Sequence, residues 1–218
     1  MEIGSFPLGN ITLVSGQRLT EARLAYRQWG QLSAARDNCI VLPAYYGGNT
    51  LSYEKLIGSG RVFDTDRYCV ICPGLLGGGE STSPSNYAGA AGSYPLVDMR
   101  DNVHCQHRLL TERFDIATLP LIAGWSLGGM QALYWAAIYP DQVKRVLAIC
   151  ATANCWPQNT VFLKGMESIL CNAPEYDGAI FRKPPIRAVR TFARNYCGWA
   201  YAPAFFRKAR YRELGLAA

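Results

Sequence analysis

One segment of this 218-residue chain has residue types and spacing suited to covalent chemistry: Gly124-Trp125-Ser126-Leu127-Gly128. An apolar run, Leu119-Pro-Leu-Ile-Ala123, precedes it, and residues 130–139 after it read as a helix that stops at Pro140. A serine on a sharp strand-to-helix turn lifts its hydroxyl beyond the carboxyl end of a sheet, where it can attack a carbonyl carbon. The flanking glycines let the chain turn and let strand and helix approach closely. The helix N-terminus, with the N–H of Leu127, would hold the negative charge developing on the attacked oxygen. Eleven serines, with glycine at a tenth of positions, give about 0.1 chance matches to Gly-x-Ser-x-Gly per chain. The strand before and the helix after lower that further. Ser126 is therefore the candidate nucleophile and Leu127 one oxyanion donor. A second donor is expected from the loop after the third strand, Pro43-Ala44-Tyr45-Tyr46-Gly47-Gly48, where the backbone N–H of Tyr45 is the candidate. The plainer alternative there is an ordinary aromatic loop.

Positioning these groups requires a sheet. Residues 6–30 alternate apolar and polar positions and predict two opening antiparallel strands. Cys39-Ile-Val-Leu-Pro43, Tyr68-Cys-Val-Ile-Cys72, residues 119–123 and residues 144–151 are continuous apolar runs, separated by helical periodicity over 96–113 and 130–139. Continuous runs alternating with helices predict a mostly parallel central sheet covered by helices on both faces. After residue 152 the pattern changes to aromatic-rich helical segments at 160–170, 186–196 and 203–214. The expected organisation is an α/β core over 1–155 followed by a helical segment over 156–218.

Half of the residues are hydrophobic and 17% are charged, which excludes intrinsic disorder. No apolar run reaches the roughly 18–20 residues of a membrane span, and the opening Met1-Glu2-Ile3-Gly4-Ser5 lacks a basic-then-apolar leader pattern. A cytoplasmic protein without membrane association is expected. Of the eight cysteines, Cys39, Cys69, Cys72 and Cys150 lie in or beside apolar runs and are expected to be small buried hydrophobes. Cys69 and Cys72 would point to opposite faces of a strand, which disfavours joint metal binding. The net charge of +6 is carried by the end of the chain, where residues 181–218 hold nine Lys/Arg and one acidic residue. Nucleic-acid binding would call for a basic face on the folded core, so it is not expected. Neither is a metal or nucleotide cofactor, because the glycine-rich loop at 77–80 lacks a P-loop lysine.

Several stretches resemble the homoserine O-acetyltransferase family of α/β-hydrolases. Phe63-Asp-Thr-Asp-Arg-Tyr-Cys-Val-Ile-Cys-Pro73 looks like that family's "LDTDRYFVICP". Pro95-Leu-Val-Asp-Met-Arg-Asp-Asn-Val, followed by Gln106-His-Arg-Leu-Leu110, is similar to its "P-x-V-T-I-R-D-x-V-x-x-Q-x-x-L-L". Ser126-Leu-Gly-Gly-Met-Gln-Ala-Leu133 with Tyr139-Pro-Asp141 matches its serine helix almost residue for residue. The likeness covers residues 20–153 well and the rest loosely. It implies an α/β-hydrolase fold with a helical lid segment at the C-terminus, and acyl transfer through a Ser126 acyl-enzyme. The donor would be a small-molecule acyl-CoA such as acetyl-CoA, and the acceptor a hydroxyl, or water in esterase-like relatives. Trp125 and Leu127 replace the small residue and methionine usual in the acetyltransferases, and Pro43 stands where those enzymes often have histidine.

The base is the difficulty. In this fold the catalytic order along the chain is serine, then a carboxylate, then histidine. The sequence holds only His104 and His107, both before Ser126, on a predicted helix flanking the sheet. They are expected to be helix-surface or part-buried residues rather than the base. The last two strands of the usual sheet are missing as well, which predicts a chain stopping inside the lid. The alternative function is a catalytically inactive fragment or pseudoenzyme acting as a binding or assembly module. An exposed strand at 144–151 would invite pairing with a second copy, so a homo-oligomer is expected, formed through that edge or through the lid helices. Arg187, Arg190 and Arg194 share one helix face and could meet CoA phosphates, against the plainer reading of a solvated face. The aromatics Trp199, Tyr201, Phe205, Phe206 and Tyr211 would line an acyl pocket or simply pack lid helices on each other.

Overall fold

The computed structural model describes residues 1–90 and 92–215. It divides into two compact units, Met1–Ala153 and the residues from Asn154 onward.

The first unit is built on a six-stranded sheet in the order β1-β2-β4-β3-β5-β6. β1 (Glu2–Thr12) and β2 (Arg18–Trp29) form the antiparallel ribbon expected from their alternation, with Leu19, Ala22, Leu24 and Tyr26 of β2 buried. β2 runs antiparallel to β4 (Cys69–Pro73). β3 (Cys39–Val41), β4, β5 (Leu121–Trp125) and β6 (Val146–Ile149) are parallel. Every residue of β3 and β4 is buried, which is why their sequences are continuous apolar runs rather than alternating ones. The two faces of the sheet feed separate apolar clusters. Cys39, Val41, Cys69 and Ile71 point into one with Leu109, Ile122 and Trp135, and Ile40, Leu42, Val70 and Cys72 into the other with Tyr53 and Phe63. Cys69 and Cys72 thus lie on opposite faces.

Two helices matter for the site. α1 (Met99–Arg108) begins at Asp98, whose side chain accepts from the Arg100 N–H at 2.8 Å, while Asp101 reaches back to the Asp98 N–H at 2.7 Å. The other oxygen of Asp101 accepts from the Val14 N–H at 2.8 Å and so ties α1 to the turn between β1 and β2. α1 runs on into a π-turn over Leu109–Arg113. α2 (Leu127–Ile138) starts three residues earlier than its apolar periodicity suggests, directly after Ser126, because Gly128 and Gly129 are helical despite their low propensity. Likewise β5 reaches Trp125, so strand, serine and helix are contiguous. Leu119, the expected strand start, makes only a single bridge with Val143.

β6 departs from expectation. It spans four residues rather than the eight of 144–151, but it is an edge strand as expected, with Leu147 and Ile149 44% and 38% exposed. The same open edge corrects the expectation for Cys150, which is exposed and has φ 51° rather than lying in the core. Cys105 on α1 is buried instead, with Cys39, Cys69 and Cys72.

The second unit contains α3 (Pro157–Cys171), α4 (Ile186–Ala200) and α5 (Pro203–Arg207). The helix expected over 203–214 is interrupted at Ala209, φ 49°, and resumes as a 3₁₀ turn over Arg210–Leu214. Its aromatic residues pack on one another: Phe162 of α3 stacks on Trp199 of α4 at 4.8 Å, and Tyr201 on Phe205 at 4.3 Å. Among the described residues no helix is long and apolar enough to cross a membrane.

Candidate active site

Ser126 is the N-cap of α2, with φ 51° and ψ −120°, a conformation few L-residues adopt. It is held from both sides. Its N–H donates to the Ile149 carbonyl at 2.8 Å, the last rung of the β5–β6 pairing, and its carbonyl accepts from the Met130 N–H at 2.9 Å in the first turn of α2. The turn is tight enough that side chains are excluded around it. A Cβ on Gly124 would stand 2.2 Å from the Gly128 carbonyl carbon, and one on Gly128 would stand 2.4 Å from the Pro43 carbonyl oxygen. A Cβ on Gly129 would meet the Gly124 oxygen at 2.8 Å. These glycines are required by close backbone approach rather than by φ, since none of the three has a positive φ.

Leu127 is the first residue of α2, so its N–H has no carbonyl partner within the helix and belongs to the positive end of the helix dipole. The loop after β3 runs beside the serine turn. Leu42 and Ala44 continue the β3–β4 pairing through hydrogen bonds to Ile71 (2.9 Å) and Pro73 (3.1 Å), and Tyr45 follows. No described residue accepts a hydrogen bond from the Tyr45 N–H. The Tyr45 ring packs edge-on against Tyr53, with centroids 5.6 Å apart.

Tyr53 links the two pieces. Its hydroxyl donates to the Pro43 carbonyl at 3.1 Å and accepts from the Trp125 N–H at 3.0 Å, so one phenol joins the end of the β3 loop to the residue before Ser126. Burial pushes its pKa up to about 12. Gln131, one turn into α2, makes a second link: its Nε2 donates to the Ala44 carbonyl at 2.9 Å and to the Leu127 carbonyl at 3.2 Å. Sequence reasoning singled out neither residue. Gln131 and its partner Gln106 were visible only inside the stretches of family likeness, and Tyr53 had no signal beyond being an aromatic in a loop.

The two histidines belong to a different place. His104 Nδ1 lies 2.7 Å from the Tyr139 hydroxyl, and the His107 ring stacks on Tyr139 at 4.0 Å. Burial lowers the His107 pKa and favours its neutral form. Tyr139 caps the C-terminus of α2 and Ser126 its N-terminus, and twelve helical residues separate them by about 18 Å. The histidines are therefore at the opposite end of α2 from Ser126. Arg187, Arg190 and Arg194 are exposed on α4, and none of them makes an ion pair among the described residues. Among those residues no group of three or more His, Cys, Asp or Glu is placed to hold a metal.

A parallel sheet with a strained serine between strand and glycine-rich helix defines a class of proteins. Residues 40–169 match the family model of the alpha/beta hydrolase fold, and the chain belongs to that family. It is 33% identical over 213 residues to the ethyl acetate hydrolase of Pseudomonas veronii, covering 95% of this chain and 61% of that protein. It is 36% identical over 206 residues to the homoserine O-acetyltransferase of Symbiobacterium thermophilum, covering 85% of this chain and 54% of that one. The structure of the acetyl esterase MekB superposes with a TM-score of 0.94 at 32% identity, over 100% of this chain and 65% of that one. The chain thus spans less than two thirds of the length of each of these three proteins.

Two consequences follow for Tyr53. Replacing it by phenylalanine leaves the Trp125 N–H and the Pro43 carbonyl without their partner, and Tyr53→Phe should cost about 1–3 kcal/mol in urea unfolding at neutral pH. The phenol also contributes to alkaline sensitivity. Burial raises Tyr53 and Tyr94 from 10.0 to about 12, and Cys105 from 9.0 to about 12. Each group ionises more readily in the unfolded chain, so the stabilisation is complete below pH 9 and is lost as the pH rises towards 12. The urea midpoint should fall across that window, and less steeply between pH 10 and 12 in Tyr53→Phe.

Proposed function

We propose that this chain carries the nucleophile and oxyanion hole of an acyl-transferring enzyme, acting on small acyl esters or acyl thioesters through a Ser126 acyl-enzyme. The observation that carries this reading is the backbone of Ser126, φ 51° and ψ −120°, held between β5 and the first turn of α2. Strain of this kind persists only where the surroundings over-determine it, and it serves to present the hydroxyl at the helix N-terminus.

In the first half-reaction the Ser126 oxygen bonds to the acyl carbonyl carbon while the hydroxyl proton passes to a base. The resulting oxyanion is held by the N–H groups of Leu127 and Tyr45. Collapse breaks the bond to the leaving alcohol or thiol, which takes up a proton. In the second half, water or an acceptor hydroxyl attacks the acyl-enzyme, releases the acid or the new ester, and restores the serine. The esterases among the relatives favour water as acceptor, and the homoserine O-acetyltransferases an amino-alcohol hydroxyl. His104 and His107 do not supply the base, because Tyr139 engages both at the far end of α2. The proton acceptor is therefore neither of these histidines.

After incubation with 4-nitrophenyl acetate, intact mass should show a single acetyl adduct on the native chain and none on Ser126→Ala. A native chain of correct mass and fold that takes up no acetyl group would favour the second reading, an inactive binding or assembly module.

The helical segment over 156–218 is proposed as a lid, and Arg187, Arg190 and Arg194 as contacts for the phosphates of an acyl-CoA donor. If so, alanine at all three positions should raise by several-fold the acetyl-CoA concentration giving half-maximal Ser126 acetylation, with the response to 4-nitrophenyl acetate unchanged. Equal dependence on both donors would return the stripe to a solvated helix face.

The edge of β6, with Leu147 and Ile149 partly exposed, supports a homo-oligomer formed by edge pairing. Sedimentation at micromolar concentration should show a dimer or larger species that Leu147→Lys disperses. A monodisperse native monomer would end that proposal.

A further inference from the structure

α2 and α1 share a chain of buried amides that ends on the oxyanion loop. The Trp135 indole Nε1–H donates to Gln106 Oε1 at 2.9 Å, Gln106 Nε2 donates to Gln131 Oε1 at 2.6 Å, and Gln131 Nε2 donates to the Ala44 carbonyl at 2.9 Å. Gln106 and Gln131 are both 0% exposed and Trp135 is 1% exposed, so water does not compete for these bonds. The direction of the chain is not arbitrary. An indole can only donate, so Gln106 must turn its oxygen to Trp135 and its amide nitrogen to Gln131. Gln131 must then offer its oxygen to Gln106, which leaves its NH₂ for Ala44 and Leu127. One donor-only group at the start of the relay thus sets the sense of every bond up to the loop.

The last bond bears on the chemistry. The Ala44 carbonyl and the Tyr45 N–H belong to one peptide unit, and that unit is trans, because no described peptide bond is cis. In a planar trans peptide the C=O and N–H point in opposite directions. Fixing the carbonyl on Gln131 therefore fixes the heading of the Tyr45 N–H, which no described residue accepts. The second bond of Gln131, to the Leu127 carbonyl, anchors the same side chain to the turn that carries the other donor.

We propose that Gln131, oriented by Gln106 and Trp135, is a positioning residue that aims the Tyr45 N–H at the oxyanion formed during acylation of Ser126. The proposal rests on the acyl-enzyme reading above. It assigns Gln131 no contact with substrate. Its effect is on the rate of reaching the tetrahedral intermediate, since a donor aimed beforehand at the developing charge needs no reorganisation during the reaction.

The test compares acetylation of Ser126 by 4-nitrophenyl acetate, followed by intact mass, in the native chain and in Gln131→Met, Gln131→Glu and Leu110→Ala. Gln131→Met keeps the volume and removes both polar groups. Its acetylation rate should fall about tenfold to a hundredfold at saturating ester, with the half-saturating ester concentration unchanged. Leu110→Ala creates a core cavity without removing any hydrogen-bonding group of the relay and reports what loss of stability alone does. It should acetylate at the native rate. Gln131→Glu adds a signature that packing would not produce. Its neutral carboxyl can still accept from Gln106 and donate to Ala44, whereas the carboxylate cannot donate, so its rate relative to native should recover as the pH is lowered. Native-rate acetylation of Gln131→Met, or a loss matched by Leu110→Ala, would overturn the proposal.

Failure of the acyl-enzyme reading is distinguishable. The native chain would then take up no acetyl group, and the amide resonance of Tyr45 in ¹H–¹⁵N spectra would decide the positioning step by itself. An unchanged Tyr45 resonance in Gln131→Met overturns it, and a displaced one, with Tyr45 exchanging faster with solvent, supports it.

Discussion

The whole site depends on how closely α2 approaches the ends of β3 and β5. At Gly124, Gly128 and Gly129 backbone meets backbone with no room for a Cβ, and any side chain there would need strand and helix to separate. That separation would break the two bonds holding Ser126, one to Ile149 in the sheet and one to Met130 in the helix. The serine would then relax towards an ordinary φ, because an isolated L-residue has nothing to hold it at 51°. Close packing, a strained nucleophile and an exposed helix N-terminus are thus one feature seen from three sides.

Close approach brings polar backbone out of water, and the structure answers with side chains rather than solvent. Tyr53 serves the Pro43 carbonyl and the Trp125 N–H with one hydroxyl, as both donor and acceptor. Gln131 serves Ala44 and Leu127, and its own oxygen is satisfied by Gln106, whose oxygen in turn takes the Trp135 indole. A buried amide left unpaired would cost more than the net value of its bond, so the set holds together only when complete. Trp135 belongs to one apolar cluster and Tyr53 to the other, and these clusters, one on each face of the sheet, supply the non-directional part of the stability. The specificity of the loop geometry comes from the hydrogen bonds. The burial comes from residues such as Leu42, Ile71, Ile122 and Trp135.

Much of this was legible beforehand. The four apolar runs became the four parallel strands, since a strand buried on both faces has to be apolar throughout. β6 has the same apolar composition although, at the sheet edge, half its residues face out. Cys150 went wrong for that reason. The start of α2 was placed late because its first turn is rich in glycine, which propensity counts against a helix and close packing counts for it. Of the candidate site, Ser126 and the proposed Leu127 donor were marked by local spacing. Tyr53 and Gln131 were not, since all their partners but Leu127 lie 10 to 87 residues away and no local pattern marks them.

By itself the sequence determined the fold class and marked Ser126 as the candidate nucleophile, because both depend on residue type and short-range spacing. It also determined that His104 and His107 belong to one helix. Only the tertiary structure decided that this helix holds them on Tyr139, at the end of α2 away from the serine. It alone decided which face of each strand meets which cluster, and which side chains satisfy the loop beside the nucleophile. The physical reason is range: strand and helix propensity and turn geometry act over a few residues. The bonds that aim the Ala44–Tyr45 peptide join residues brought together only once the sheet and its two helices have closed on one another.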